Sequence, residues 1–324
     1  MGTIKATKNG NACPQFFLSD AMSDNPAAAV IAEFLHSPLI QKILKQSEDC
    51  LYLNVQRPTG VAADTKLPVL FWIFDGGFEL GSPSVISSIE QGKPMIFVTV
   101  NYRVGGFGFL SGAEILKDGS ANLGLLDQRL GMQWTLTKTI WGESAVAISV
   151  FDHMVLKDGD HTYKGKPLFR AGIMNSSSVI PAAPADSPRG QRFYDAVVRA
   201  GDCQSSLTTL ECLRALPFQE YLHVVNSVPG IFSTSSPAMS YLPRPVGTLL
   251  TESPENLLQA GKYARVLVTT QQMTDLVDTY PSGLLDGSPF RSDIFNNWYP
   301  QYKRLATILG DLPFILSGAW AQDR

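Results

Sequence analysis

Residues 139–150 hold the one stretch whose residue types and spacing could do nucleophilic chemistry, centred on Gly142-Glu143-Ser144-Ala145. Thr139, Ile140 and Trp141 favour an extended approach. Beyond the serine, Ala147, Ile148, Phe151, Met154 and Val155 recur at the spacing of one helical face. A serine at a sharp strand-to-helix turn has its hydroxyl lifted clear of the sheet, and the amide of the next residue helps to hold a developing oxyanion. The chemistry would be acyl transfer through a serine nucleophile. A bare Gly-x-Ser arises about once or twice by chance in a chain of this size, so its surroundings decide its weight.

Those surroundings alternate strand and helix. Residues 47–55 read as a strand closed by a turn at 57–60. Residues 67–74 form a near-continuous apolar run, as expected of a strand covered on both faces. This run ends in Asp75-Gly76-Gly77, where paired glycines let a backbone approach a ligand and aim amides at it; a plain tight turn is the other reading. Residues 95–102 form a third strand, 103–110 a glycine-rich loop and 122–134 a helix leading to the serine. Further strands fall at 170–176 and 264–270, with helices near 189–201 and 205–224 and another over 300–324. The alternation implies an α/β fold with a mainly parallel central sheet and helices on both faces.

Residues 25–46 carry two short amphipathic stripes separated by Pro38, read either as core-packing helices or as a flap over a site. The composition of 44% hydrophobic and 17% charged residues suits a globular protein and excludes a disordered one. A formal charge of −3 leaves no basic footprint for nucleic acid. No apolar run reaches membrane-spanning length, and residues 1–6 show no signal-peptide core. The four cysteines, Cys13, Cys50, Cys203 and Cys212, allow three pairings or free buried thiols, and no pair has zinc-ligand spacing.

Six segments in order, 48–55, 75–78, 101–103, 108–110, 122–128 and 142–145, together resemble the type B carboxylesterase family, and its secreted fungal lipases and esterases in particular, as do 159–174, 241–245 and 261–264. The resemblance runs from about residue 10 to residue 323. It implies an α/β-hydrolase fold, incomplete at both termini, in a single partial domain over 1–324 with a flap-like segment at 14–49. Carried over residue by residue, it makes Ser144 the nucleophile and gives the oxyanion hole to the amides of Gly76, Gly77 and Ala145. It pairs Cys13 with Cys50 at the flap base and Cys203 with Cys212 around a smaller loop. It further implies a small-molecule or lipid ester substrate, contact with a lipid interface through the flap, an extracellular location, and no metal or other cofactor.

The chain also departs from that pattern. An ester-hydrolysing serine needs a base and a carboxylate orienting it, in the order Ser, Asp or Glu, His. No glutamate follows residues 264–270, and Asp275 is the nearest carboxylate. Residues 224–324 contain no histidine. His36, His153, His161 and His223 are all poorly placed by sequence, so neither the acid nor the histidine of a triad is identified. Val146 stands where the family has a glycine, and its branched side chain is expected to clash or push the turn open. Asp75 puts a carboxylate beside the oxyanion position. Lys138 follows Trp134 almost directly, where the family has a longer connection. The expectation is a carboxylic ester hydrolase by ancestry with little or no turnover. The alternatives are a non-catalytic binding or adhesion protein on the same scaffold, or an incomplete gene product.

Overall fold

The computed structural model describes residues 10–15, 46–62, 64–74, 76–81, 94–135, 138–175, 177, 179–230 and 240–266. His36, Asp75, Asp275, nearly all of the flap-like segment, the strand expected beyond residue 266 and the helix expected over 300–324 lie outside these residues.

Five strands form one sheet: β1 (Leu53–Gln56), β2 (Val69–Ile73), β3 (Ile96–Val100), β4 (Lys138–Glu143) and β7 (Phe169–Asn175). Their order is β1-β3-β2-β4-β7. Only the β1–β3 pair is antiparallel; β3–β2, β2–β4 and β4–β7 are parallel. A small hairpin, β5 (Thr162–Tyr163) with β6 (Lys166–Pro167), stands apart from the sheet. The apolar runs read from sequence supply β2 and β3, and the register places Phe71 opposite Val98 and Ile140. With Ile73 and Val100 these side chains form a buried apolar floor. Helices α3 (Leu123–Trp134) and α4 (Ala145–Val155) belong to that side: α4 packs along β4 and β7, and α3 meets the side chain of Val100 at Gly131.

The expected glycine-rich loop at 103–110 is instead partly a short helix, α1 (Gly105–Phe109). Glycine is a poor helix former, so packing decides this. A Cβ on Gly106 would lie 2.5 Å from the Val225 side chain, and only a residue without one lets α1 seat there. The helix expected over 205–224 is two, α6 (Thr209–Ala215) and α7 (Phe218–Val225), because Pro217 forbids a continuous run. Three further α-helices are α2 (Ala113–Asp118), α5 (Pro188–Ala200) and α8 (Pro254–Gln259), and a 3₁₀ turn at Leu156–Gly159 follows α4. None of the described helices is long and apolar enough to cross a membrane.

Cys13 bonds to Cys50 and Cys203 to Cys212, the pairings implied by the resemblance. The first closes the ends of the 14–49 segment, where Ala12 and Gln46 also form a parallel bridge.

Candidate active site

Ser144 follows β4 and caps α4 with φ 58° and ψ −127°, a combination sparsely populated by non-glycine residues. The surroundings hold it in that state. Behind it β4 is pinned between β2 and β7, while ahead of it the amides of Ala147 and Ile148 donate to its own carbonyl. Its side chain is exposed, as is that of Glu143. Such strain persists where the fold over-determines it, and it occurs most at functional sites.

Val146 was expected to disturb this turn. It is fully buried instead, and Ser144 keeps its strained conformation. The room comes from Gly142. A Cβ there would lie 2.5 Å from the Val146 carbonyl oxygen and 2.7 Å from its Cγ1. Strand and helix therefore approach through the glycine before the serine rather than through one after it.

The glycine turn stands beside this elbow by register. Trp72 pairs with Trp141, so the segments following β2 and β4 leave the sheet at the same carboxyl-end edge, on adjacent parallel strands about 4.8 Å apart. The paired indole rings lie 4.5 Å apart, edge to face, and brace the two strands where they end. Gly77 and Phe78 follow with φ of 68° and 62°. The Gly76 amide, expected in the oxyanion hole, donates to the Leu80 carbonyl at 2.8 Å and closes the turn on itself. The turn is further anchored to the base of the 14–49 segment, because Gln15 donates from Nε2 to the Gly81 carbonyl at 2.8 Å and accepts from the Gly81 amide. Ala145 opens α4, and the first amides of a helix have no partner within it.

Among the described residues, no side chain hydrogen-bonds the Ser144 hydroxyl. His153 lies on α4, nine residues beyond the serine and about 13 Å along the axis. It is fully buried, with Nε2 2.9 Å from the Gln128 Oε1 of α3, and burial with nearby Arg129 and Lys138 depresses its pKa to about 3. His161 packs on Phe169, at the start of β7. That is the far end of the sheet from the elbow, roughly 20 Å away along the strand. His223 sits exposed in the last turn of α7.

Three buried ionisable groups on the elbow unit were not singled out from sequence as such. Lys138, the first residue of β4, is fully buried; its Nζ donates to the Met132 carbonyl and lies 5.3 Å from the centre of the Phe71 ring. Burial lowers its pKa to about 7. Asp152 on α4 is buried with no hydrogen-bond partner for either carboxyl oxygen, and burial raises its pKa to about 8. The third is His153. The available signal was a lysine opening an otherwise apolar strand. Among the described residues, no group of three or more His, Cys, Asp or Glu side chains could hold a metal ion.

The carboxylesterase family model matches residues 1–281. "Secreted lipase 1" of Botryotinia fuckeliana is 51% identical over 372 residues, covering 98% of this chain and 65% of that protein. "Secreted triacylglycerol lipase LIP1" of Gibberella zeae is 45% identical over 368 residues, covering 96% of this chain and 62% of its own length. Both alignments are longer than the chain's 324 residues, so these relatives carry segments within the matched region that it lacks. The chain spans just under two thirds of their length. Among solved structures, Aspergillus niger EstA superimposes with a TM-score of 0.64 at 26% identity, over 86% of this chain and 58% of EstA. With a mainly parallel sheet, a serine at the strand-to-helix turn and relatives at this level of identity, the chain belongs to the carboxylesterase family and has its α/β-hydrolase fold.

Proposed function

We propose that the chain carries the acyl site of a serine carboxylic-ester hydrolase. Ser144 is the nucleophile, and the amides of Gly77 and Ala145 hold the oxyanion. The strained, exposed geometry of Ser144 is the observation that carries this reading. A regular helix gains nothing from a residue at φ 58°, whereas an acyl nucleophile does. Relatives named secreted lipases support an ester substrate and an extracellular location, and two disulfides suit an oxidising compartment.

Among the described residues nothing takes the Ser144 hydroxyl proton, so these 324 residues by themselves should turn an ester over slowly. Two oxyanion donors and a binding surface still leave residual catalysis, of order 10³–10⁴ over water in hydrolases stripped of their triad. The purified chain should hydrolyse a p-nitrophenyl ester slowly, with Ser144→Ala changing the rate by less than about tenfold, since a serine without a base contributes little. Turnover of an intact triad, abolished in Ser144→Ala, would sink the impaired reading. A large Ser144 effect on a slow rate would leave the nucleophile and require a base from elsewhere in the chain.

A further inference from the structure

We infer that the end of the sheet opposite the serine turn is a docking surface for an anionic polysaccharide, built from exposed cations on two chain segments. Lys157, Lys164, Lys166, Arg170 and Arg265 are all exposed, and none has a salt bridge among the described residues. The first four come from the 3₁₀ turn after α4, the β5–β6 hairpin and the start of β7, and Arg265 from the segment after α8. Backbone contacts bring the two segments together. The Leu168 amide donates to the His161 carbonyl at 2.8 Å and folds the hairpin back onto the start of β7. Gly159 abuts Tyr263, where a Cβ would lie 2.6 Å from the carbonyl carbon, and the Ala264 amide donates to the Met154 carbonyl at 2.6 Å.

The carboxylates of this end are engaged elsewhere. Asp158 accepts from the Thr251 hydroxyl at 2.6 Å and pairs with Lys262 at 3.2 Å. Asp160 Oδ1 accepts from the Thr162 amide at 2.9 Å and the Thr162 hydroxyl at 2.7 Å. With exposed Glu252 beside Thr251, three carboxylates stand against six cations, Lys262 included, in a chain whose formal charge is −3. Two of the lysines also hold strained backbones. Lys157 has φ 53° and ψ 42°, and Lys164 has φ 50° in the hairpin turn, where asparagine or glycine is favoured. Strain of this kind collects at ligand-holding surfaces. The partner follows from what accompanies the charge. A lipid surface needs an apolar face to insert, and on segments 156–170 and 261–266 Tyr263 is the one large apolar side chain exposed. A linear polyanion needs only spaced cations and gains from the counterions it releases. Sulfate or carboxylate groups along a sugar chain meet that need. Only the choice of polysaccharide over nucleic acid rests on the extracellular location proposed above. The surface lies roughly 20 Å along β7 from the elbow, so a chain held there leaves Ser144 open.

The test needs no hydrolysis, so it stands or falls apart from the reading of Ser144. The intact protein at neutral pH is titrated calorimetrically with heparin, with polygalacturonate and with neutral dextran. One variant carries Lys164→Gly, Lys166→Gln and Arg170→Gln on the surface. The other carries Lys117→Gln, Arg192→Gln and Arg199→Gln, exposed positions on α2 and α5 with the same change of charge. Glycine at 164 suits a positive φ, and thermal midpoints check that both variants fold. The expected result is saturable binding of at least one of the two polyanions and none of dextran. Binding should weaken at least about tenfold from about 50 to about 200 mM salt, and at least about tenfold in the first variant but not in the second. Equal loss in both variants, binding indifferent to salt, or no binding of either polyanion each overturns the proposal. Tighter binding of duplex DNA or of phosphatidylglycerol vesicles than of either polysaccharide overturns the choice of partner.

Discussion

Lys138 and Asp152 sit on the same strand–turn–helix unit, one at the start of β4 and one near the end of α4, and burial perturbs them in opposite senses. The lysine, at about 7 in the folded chain against an ordinary 10.5, binds fewer protons when folded between those values, so its penalty on folding fades as pH rises from 7 to 10.5. The aspartate, at about 8 against 3.8, binds more protons when folded across that range, so stability is lost as pH rises from 3.8 to 8. His153, at about 3 against 6.5, adds stability as pH rises between those values and partly offsets Asp152 below 6.5. Denaturant unfolding should therefore vary little from about pH 4 to 8 and strengthen above it. Lys138→Met should flatten the alkaline rise and stabilise the protein at pH 6, by an amount on the order of a few kcal/mol. Asp152→Asn should leave the His153 and Lys138 contributions unopposed, so that stability rises from about pH 4 to 8 instead of staying level. A Lys138→Met profile identical to the parent would show that the lysine reaches water.

The elbow holds together as an element through the absence of a side chain at Gly142 rather than after Ser144. Gly142→Ala puts a methyl carbon 2.5 Å from a backbone oxygen that cannot swing away, so α4 must shift. The expected cost is about 1–3 kcal/mol, read as a lower midpoint in thermal unfolding. An unchanged midpoint would mean that the helix is free to slide. The strand itself was legible in the β-favouring residues 139–141, and so was the apolar face of α4. The buried position of Val146 was not, because a clash depends on how close two elements come, and in the chain that closeness is written at another residue. The helix at 105–109 escaped a propensity reading for the same reason: Val225, more than a hundred positions on, decides what Gly106 does.

At the scale of the whole molecule, two disulfides constrain very different spans, with separations of 37 and 9 residues. On the chain-entropy model, removing Cys13–Cys50 costs about 4 kcal/mol and removing Cys203–Cys212 about 3 kcal/mol. The larger bridge also sits beside Gln15, which grips Gly81 at the end of the glycine turn. Gln15→Ala leaves the Gly81 amide and carbonyl without that partner, and about 1–3 kcal/mol of stability should be lost. Hydrogen exchange should show the 76–81 amides opening more readily in Gln15→Ala and in Cys13→Ser with Cys50→Ser than in a variant lacking Cys203–Cys212. Equal exchange in all three would separate the turn from the base of the 14–49 segment.

What the amino-acid order determined by itself is local and repetitive: the buried strands, the face of α4, the serine between them and, with the six motifs in order, the family. These follow from backbone propensity and from apolar periodicity, which operate within a window of some ten residues. Only the folded chain decided that the Gly76 amide is spent on Leu80 and that Lys138, Asp152 and His153 lose contact with water. Each of these depends on which atoms arrive next to a residue from distant segments, and burial and hydrogen-bond satisfaction are properties of that company rather than of the residue.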